Sequence, residues 1–425
     1  MRVRLEYGRD GLEVELPDKN VAGVLKLKQA AVLENPTAAV AAALSSPIGT
    51  SSLSALAKGR RDACIVVCDI TRPVPNPIML PPILRALEEG GIPRSSVTIL
   101  IATGTHRTNE GDELVQMLGR EVAESCRIVN HVCTDIDSQK YLGVSPNGVP
   151  VYLDKVYCEA DVKLTVGLIE PHFMAGFSGG RKLIMPGIAG LDSVQAWHSP
   201  RFLEHPNATS GVIEDNPVHL ESLAIAKMVR PDMVVDVTLD EQNRVTGVFA
   251  GDLEEAWLTG VAYAREHVKA EIAEPVDIVV TTCAGAPLDA TFYQAVKGMV
   301  CALPIIKPGG SIVIASECAE GIGSEPFRRQ LMDNDDLPAY MEAMQGDDWT
   351  YVPDQWEVEE LAKAVRDNTV YCVASGIATE DLEQCFVRPA ATVEEGVAAA
   401  MLNHGPDARI AVIPKGPYVI PVLSS

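Results

Sequence analysis

A chain of 425 residues is too long for one hydrophobic core, so its length predicts two or three domains. Hydrophobic residues make up 47% of the chain, which excludes bulk disorder. The formal net charge of −23 argues against binding to nucleic acid or to an anionic membrane surface. Any site for a carboxylate or phosphate therefore needs a local cluster of cationic side chains.

The sequence shows no sign of export or membrane insertion. Charged and apolar residues alternate from Met1 to Glu6, unlike a signal peptide, and no apolar run approaches the ~20 residues that cross a bilayer. Ten cysteines occur without a Cys-x-x-Cys pair, which argues against a structural zinc site and is typical of reduced thiols. We therefore expect a soluble, cytoplasmic protein.

Strand-like and helical segments alternate from the start of the chain. Residues 2–16 alternate around a Gly-Arg-Asp-Gly turn and predict a β-hairpin. Asn216-Pro217 is typical of a helix start, because Asn caps helices and Pro is tolerated at the first helical position. The predictions that follow the hairpin are strands over 62–68, 96–102 and 161–168, and helices over 77–89, 110–118, 216–228 and 253–269.

The same alternation begins again after Pro275. It predicts strands over 277–282, 311–315, 369–374 and 409–414, and helices over 288–301, 325–333 and 357–367. Apolar strands that alternate with helices indicate mainly parallel sheets covered by helices. We therefore predict an α/β protein with two α/β domains, residues 1–272 and 273–425.

Polar clusters follow three of the predicted strands, at the edge where α/β sheets bind ligands. Asp69 can accept from ribose hydroxyls and Arg72 can bind a carboxylate, or the two can pair and fix a loop. His106 and His172 at neighbouring strand ends suggest one base for each face of a substrate, with structural histidines as the alternative. The clusters are Asp69-Ile70-Thr71-Arg72-Pro73, Thr103-Gly104-Thr105-His106-Arg107 and Glu170-Pro171-His172.

The segment 171–182 combines an imidazole, a glycine-rich loop and a lysine. Glycines let backbone approach a bulky ligand and expose N–H groups to phosphate, and Lys182 can neutralise a phosphate or become a covalent anchor. His198 is either a packed residue at a helix end or a metal ligand. Leu183 breaks the P-loop pattern, and the absence of a complete Gly-x-Gly-x-x-Gly argues against an ordinary NAD-dependent dehydrogenase.

Four further candidates lie in the second half of the chain. Gln294 and Lys297 are three residues apart and share one face of a predicted helix, with Tyr293 beside them. An amide and an ammonium on one face suit a substrate carboxylate or keto oxygen, although a solvated helix face has the same pattern. Trp356 is either a core residue or the wall of a small pocket.

Together these residues resemble the nickel-pincer nucleotide-dependent lactate racemase family, whose members racemise or epimerise 2-hydroxy acids. The resemblance extends over essentially the whole chain. Its carriers are Asp69-x-Thr71-Arg72-Pro73, Thr103-Gly104-x-His106-Arg107, Pro171-His172-x-x-x-Gly176-x-Ser178-Gly179-Gly180-x-Lys182, His198 and Tyr293-Gln294-Ala295-Val296-Lys297-Gly298.

The resemblance implies a mononucleotide cofactor, a pyridinium whose two sulfur-containing arms hold nickel through two sulfurs and a ring carbon. It implies that Lys182 tethers this cofactor through a thioamide and that His198 is the fourth nickel ligand. A planar four-coordinate site fits the geometry that nickel prefers. The run Asp69-Ile70-Thr71-Arg72 would also hold the cofactor, which separate maturation enzymes would build and load with nickel.

The resemblance also implies how the reaction runs. His106 and His172 would be the acid/base pair: one takes the hydroxyl proton as hydride leaves C2, a planar 2-keto acid forms, and hydride returns to the other face. The active site is expected in the cleft between the two domains. The implied substrate-binding residues are Arg72, Tyr293, Gln294, Lys297 and Trp356.

Lactate, malate, 2-hydroxyglutarate and sugar acids are all substrates within this family, and the motifs do not identify which acid this chain uses. Two readings from other classes stay open at this point. One is a redox enzyme that uses a nucleotide such as NAD, and the other is a non-catalytic protein that binds a nucleotide or nickel. A cofactor adduct on Lys182 would support the racemase, and its absence would support the redox enzyme. Loss of nickel or nucleotide binding in His198→Ala, with no turnover of any 2-hydroxy acid by the wild type, would favour the non-catalytic protein.

Overall fold

The computed structural model describes residues 1–346 and 348–424, and two six-stranded sheets organise them. The strands in chain order are β1 (Arg2–Leu5), β2 (Leu12–Glu15), β3 (Val21–Val24), β4 (Ala63–Cys68), β5 (Val97–Ala102), β6 (Arg127–Asn130), β7 (Gln139–Val144), β8 (Pro150–Asp154), β9 (Val162–Leu168), β10 (Pro171–His172), β11 (Gly176–Phe177), β12 (Met233–Leu239), β13 (Val245–Gly251), β14 (Lys269–Ile272), β15 (Val276–Thr282), β16 (Ile306–Ala315), β17 (Thr369–Val373), β18 (Arg388–Pro389), β19 (Ile410–Ile413) and β20 (Ile420–Leu423).

Helices cover both sheets. The α-helices are α1 (Pro36–Ser45), α2 (Leu53–Ala57), α3 (Asn76–Glu89), α4 (Asp112–Leu118), α5 (Arg120–Ser125), α6 (Lys155–Glu159), α7 (Leu191–Trp197), α8 (Pro200–Leu203), α9 (Pro217–Val229), α10 (Glu255–Val268), α11 (Phe292–Val300), α12 (Glu325–Met332), α13 (Leu337–Met344), α14 (Gln355–Val365), α15 (Thr379–Gln384) and α16 (Val393–His404). Short 3-10 helices are Arg94–Ser96, Ile136–Ser138, Gly180–Leu183, Leu288–Ala290, Leu303–Ile305 and Gly416–Tyr418.

The first sheet has the order β13-β12-β9-β4-β5-β6. Only β13 runs antiparallel to its neighbour, and the other pairs are parallel. Its central strands β4, β5 and β9 are almost entirely apolar and buried, because helices cover both faces. Their carboxyl ends therefore lie side by side at one edge, and the polar residues that follow them face the same space.

The second sheet has the order β18-β17-β16-β15-β19-β3 and is parallel throughout. Its face toward α11 and α14 is closed by apolar side chains such as Val279, Phe292 and Leu361. The predicted α/β class, with two mainly parallel sheets covered by helices, is confirmed. No helix in residues 1–346 and 348–424 is long and apolar enough to cross a membrane.

The start of the chain belongs to the second sheet. Strand β3 pairs with β19, and the β1–β2 hairpin packs Val3, Leu5 and Val14 against Val280 and Val313 of the second core. The division at residue 272 stays a prediction, but sheet membership crosses it. A hairpin and one short strand carry no sequence signal for which distant sheet they join.

Several element boundaries differ from those predicted. The helix predicted over 288–301 begins as a 3-10 turn, and α11 starts only after Thr291, whose side chain accepts from the Gln294 N–H. Strand β16 begins at Ile306 rather than at residue 311, so the Pro-Gly-Gly stretch lies inside it, with a register shift against β15. Helix α14 begins two residues earlier than expected, which places Trp356 in its first turn.

Candidate active site

A cavity of about 620 Å³ lies between the two sheets. From one side it is lined by the residues after β4, β5 and β9 and by the segment that ends at His198, and from the other side by α11 and the start of α14. All the predicted site residues line it except Ile70, which lines a wider opening of about 1440 Å³ that shares Asp69, Arg72 and Lys297 with it. The expected cleft site is therefore formed by residues from both sheets.

His106 is held by a carboxylate. Its Nδ1 lies 2.7 Å from Asp69 Oδ2, while Asp69 Oδ1 accepts from the Thr71 hydroxyl at 2.6 Å. Burial raises the pKa of Asp69, but the hydrogen bonds from His106 and Thr71 outweigh it and leave this pKa below its usual range. The ionised carboxylate therefore orients the His106 ring through Nδ1 and leaves Nε2 to face the cavity.

His172 contacts Lys182 directly. Its Nδ1 accepts from the backbone N–H groups of Met174 and Ala175, both at 3.2 Å, so the ring proton is assigned to Nε2. Nε2 lies 2.6 Å from Lys182 Nζ and donates to it. Burial lowers the pKa of Lys182 well below its usual range, and the neighbouring cation Arg181 lowers it further. Lys182 is therefore a neutral amine with a free electron pair, as a nucleophile requires.

The loop that carries Lys182 is fixed by contacts to its glycines. Gly180 has φ +50°, and a Cβ there would come within 2.9 Å of the Trp257 ring. Asp236, in the middle of β12, accepts from the Gly180 N–H at 3.0 Å. The buried Arg181 guanidinium lies 4.0 Å from the Trp257 ring centre and donates to the Ala175 carbonyl at 2.9 Å. These contacts hold the amine of Lys182 in one position.

His198 is buried between two indole rings, Trp197 at 4.4 Å and Trp356 at 4.5 Å between ring centres. Its Nδ1 donates to the Val194 carbonyl at 3.1 Å, which leaves the lone pair on Nε2. Burial lowers the pKa of His198 to about 3, so the ring is neutral at ordinary pH. A neutral imidazole with one nitrogen fixed by a carbonyl is the usual form of a metal-binding histidine.

The described part of the chain holds no cluster of three or more His, Cys, Asp or Glu side chains that could bind a metal ion. His198 would therefore be a single protein ligand, and the remaining ligands of any metal would have to come from a bound group. This donor set fits a cofactor that brings three ligands of its own to the metal. The adjacent neutral amine of Lys182 also fits such a cofactor, because it can form an amide-type bond.

The second sheet contributes an ammonium and an amide. Lys297 Nζ donates to Gln294 Oε1 at 2.5 Å and lies 5.4 Å from the Phe173 ring centre. Burial lowers the pKa of Lys297, while Glu357 opposes this shift. The Tyr293 hydroxyl accepts from Trp356 Nε1 at 2.7 Å, so these two side chains form one wall.

Arg72 does not pair with Asp69, as one reading of the sequence allowed. Its Nε lies 3.4 Å from Glu170 Oε1, while Asp69 is bonded to His106. Burial raises the pKa of Glu170, and the Arg72 charge opposes that shift. Arg72 Nη1 donates to the Thr71 carbonyl at 3.3 Å, and the residue lines the cavity, where a guanidinium suits a carboxylate or a phosphate.

Two residues at the site were not singled out from the sequence. Asp236 interrupts the apolar run of β12, and a buried carboxylate in such a strand was a readable signal for a loop contact. Glu357 lines the cavity, but it is one of several glutamates in α14 and only the fold distinguishes it from the others.

Comparison with known proteins gives one consistent result. A model of the lactate racemase N-terminal domain matches residues 7–211, and a model of the lactate racemase C-terminal domain matches residues 271–421. The chain is similar to a lactate racemase from Thermoanaerobacterium thermosaccharolyticum, at 36% identity over 98% of each chain. It is also similar to one from Lactiplantibacillus plantarum, at 35% identity over 98% of this chain and 99% of that protein.

Solved structures agree with the sequence comparisons. The lactate racemase apoprotein from T. thermosaccharolyticum superposes with a TM-score of 0.93 at 36% identity, covering 99% of this chain and 100% of that one. A protein from Thermotoga maritima superposes with a TM-score of 0.68 at 17% identity, covering 94% and 100%. The second likeness supports the fold alone.

Proposed function

The chain belongs to the lactate racemase family, and from this premise we propose that it interconverts the D and L forms of a 2-hydroxy acid with a nickel-pincer nucleotide. The observation that carries the proposal is the pair of imidazoles in one cavity, each with its own partner. His106 is held by Asp69 and His172 by backbone N–H groups. Two independently held bases suit a reaction that must treat both faces of one carbon alike.

The residues that would hold the cofactor fit its chemistry. Lys182 offers a neutral amine for a thioamide bond, and His198 offers one imidazole nitrogen to nickel. The run Asp69-Ile70-Thr71-Arg72 lies at the cavity mouth and would hold the nucleotide portion. When bound, the cofactor supplies a hydride acceptor. Because the described part of the chain holds no cluster of three or more side chains that could bind nickel alone, we also propose that separate maturation enzymes assemble and load the cofactor.

In the reaction we propose, Lys297 and Arg72 bind the substrate carboxylate, and Gln294 fixes its orientation. These cations supply the local positive charge that an anionic substrate needs on a chain with a net charge of −23. Trp356 and Tyr293 close one side and exclude water. The substrate C2 is thereby held between the two histidines.

Proton transfer is assigned to His106 and His172. For one enantiomer, one imidazole takes the hydroxyl proton as the substrate becomes a planar 2-keto acid, and the other imidazole serves the mirror-related direction. Asp69 stabilises the positive charge that His106 then carries. Once the Lys182 nitrogen is acylated it loses its basic electron pair and no longer accepts from His172 Nε2, so the ring is free to turn. To take the substrate proton at Nε2, the His172 ring must first carry its own proton on Nδ1 instead, which requires it to leave the two backbone N–H groups.

The proposal is tested with protein produced together with the cofactor-maturation enzymes. Mass measurement should show a covalent adduct on the peptide that contains Lys182, and a chirality assay should show pure L-lactate or pure D-lactate converging on the racemate. The matched control is Lys182→Met, which keeps an unbranched, uncharged side chain but has no amine to form the thioamide. An adduct-free protein that reduces or oxidises 2-hydroxy acids with NAD would instead establish the redox reading.

A third outcome separates a non-catalytic protein from both enzymes. Such a protein would bind nickel or nucleotide and lose that binding in His198→Ala, yet the wild-type chain would racemise no 2-hydroxy acid in a panel that includes lactate, malate and sugar acids.

A further inference from the structure

One carboxyl group in the cavity has no hydrogen-bond partner. Glu357 lies in the first turn of α14, its side chain is fully buried, and it lines the same cavity as Lys297. Among the residues with described positions, neither of its two carboxylate oxygens meets a donor. Buried carboxyl groups in folded proteins are nearly always hydrogen-bonded, so this one calls for an explanation.

The hydrogen bonds that the neighbouring side chains make go to other acceptors. Lys297 donates to Gln294 Oε1 at 2.5 Å, and Trp356 Nε1 donates to the Tyr293 hydroxyl at 2.7 Å. Helix α14 packs against α11, and the charge of Lys297 acts on Glu357. Because Glu357 lines the cavity, a ligand bound there can supply the donor that its carboxyl group lacks.

The other buried glutamates of α14 differ in this respect. Glu359 accepts from Gln355 Nε2 at 3.3 Å, and Glu360 accepts from Lys363 Nζ at 2.7 Å. Neither of them lines the cavity. Glu357 is thus the member of this group that is placed to meet a ligand.

We propose that Glu357 accepts a hydrogen bond from a hydroxyl group on the substrate side chain, so that the enzyme prefers 2-hydroxy acids with a second hydroxyl at C3 over those with an apolar C3. The inference rests on the proposed function, because it places the substrate carboxylate at Lys297 and Arg72. With the carboxylate there, the adjoining wall that contains Glu357 is available to the side chain.

A hydroxyl group suits this wall better than the alternatives. Lys297 and Arg72, the two cations assigned to the substrate, both bind its first carboxylate. A second carboxylate would therefore meet Glu357 without a counter-charge. An ammonium group would lie beside Lys297 and be repelled. Burial raises the pKa of Glu357 to about 8, against the opposing charge of Lys297, and both forms of the carboxyl accept from a hydroxyl.

The test compares two substrates of equal shape. Glycerate and 2-hydroxybutyrate differ only in a hydroxyl or a methyl group on C3, and lactate serves as the reference for basal racemisation. With cofactor-loaded wild-type enzyme, kcat/KM for glycerate should exceed that for 2-hydroxybutyrate at least tenfold, because a polar site rejects an analogue that leaves its buried group unpaired. Equal values for the two acids would overturn the proposal.

Variants then assign the preference to one side chain. Glu357→Leu should bring the two kcat/KM values within about twofold of each other, because it removes the acceptor, while Glu357→Gln should keep most of the preference. Glu359→Gln is the matched control: it removes a carboxyl that is equally buried in the same helix but outside the cavity, and the wild-type ratio should persist. If Glu357→Leu lowers activity toward both acids by the same factor, Glu357 is only a counter-charge for Lys297 and the proposal fails.

The design separates this inference from the proposed function. If wild-type enzyme with an adduct on Lys182 racemises none of the three acids nor any other 2-hydroxy acid, the proposed function fails. If its kcat/KM for 2-hydroxybutyrate equals its kcat/KM for glycerate, only the inference about Glu357 fails. Because the wild-type comparison alone decides the second case, the outcome does not depend on whether a variant folds.

Discussion

His172 Nε2 and Lys182 Nζ lie 2.6 Å apart, so the proposed base and the proposed covalent anchor are in direct contact before any cofactor is attached. The contact requires one partner to accept, and the two backbone N–H groups at His172 Nδ1 leave that role to the lysine. The anchor is therefore a neutral amine at the pH of the cell. Its reactivity can be measured without the cofactor.

We expect Lys182 to react with a small acylating reagent at pH 7 faster than the exposed lysines do. The pKa of Lys182 is lowered well below its usual range by burial and by Arg181, so its reactive neutral form is present where an ordinary ammonium is protonated. Limited acetylation followed by peptide mass analysis measures the acetylation rate of Lys182 relative to the rates of the exposed lysines. Surface lysines react only at alkaline pH. If the Lys182 peptide is also labelled only at that pH, the assignment of a neutral amine is contradicted.

Gly180→Ala should misplace Lys182 as well as destabilise the fold. The left-handed backbone at φ +50° adds roughly 1–2 kcal/mol of strain, and the new Cβ would lie 2.9 Å from the Trp257 ring. Gly309→Ala is the matched control, since its φ of +76° carries similar strain but its Cβ would meet nothing within 4 Å. The Tm and the acetylation rate of Lys182 should both fall further in Gly180→Ala than in Gly309→Ala. Equal effects in the two variants would argue against the role of the Trp257 contact.

His106→Ala in cofactor-loaded enzyme should lower the racemisation rate on the order of 10²-fold or more in both directions while the adduct on Lys182 is kept. Asp69→Asn should lower kcat less, because it removes the carboxylate that orients the His106 ring but keeps an oxygen that can accept from Nδ1. The initial rates from each pure enantiomer report both effects. Near-normal turnover by His106→Ala would remove it from the two-base assignment.

Lys297→Met should act mainly on binding. Its ammonium is one of two cations placed for the substrate carboxylate, so its loss should raise KM for both enantiomers by about tenfold or more. Lys307→Met is the control, because that lysine pairs with Asp277 outside the cavity. Steady-state kinetics in each direction give KM and kcat separately, and an unchanged KM would exclude Lys297 from carboxylate binding.

Glu359→Gln should make the fold more resistant to alkali. Burial raises the pKa of Glu359 to about 9 from about 4.5 in the unfolded chain, with the Gln355 hydrogen bond opposing. The native state therefore holds one more proton between these values, and its stability falls by at most about 1.4 kcal/mol per pH unit as pH rises through this range. Denaturant unfolding between pH 6 and pH 9 should show that the free energy of unfolding falls less steeply with pH in the variant than in the wild type.

Much of the fold and site could be predicted because the signals are local. The apolar runs that became β4 and β5 end in Asp69 and Thr103, and parallel pairing alone brings those ends together. Non-local partners could not be predicted. Nothing in the spacing pairs Arg72 with Glu170 rather than Asp69, and helical periodicity does not distinguish Glu357 from Glu359.

The pairing of β3 with β19 means that the second sheet is assembled from both ends of the chain, with the first sheet inserted between them. The polypeptide therefore crosses from one lobe to the other twice, once after Val24 and once before Val276. The residues of the cavity are divided in the same way. Lys297 belongs to the second lobe, whereas His106, His172, Lys182 and His198 all belong to the first, so the proposed carboxylate-binding ammonium meets the proposed acid/base and cofactor residues only where the two lobes adjoin.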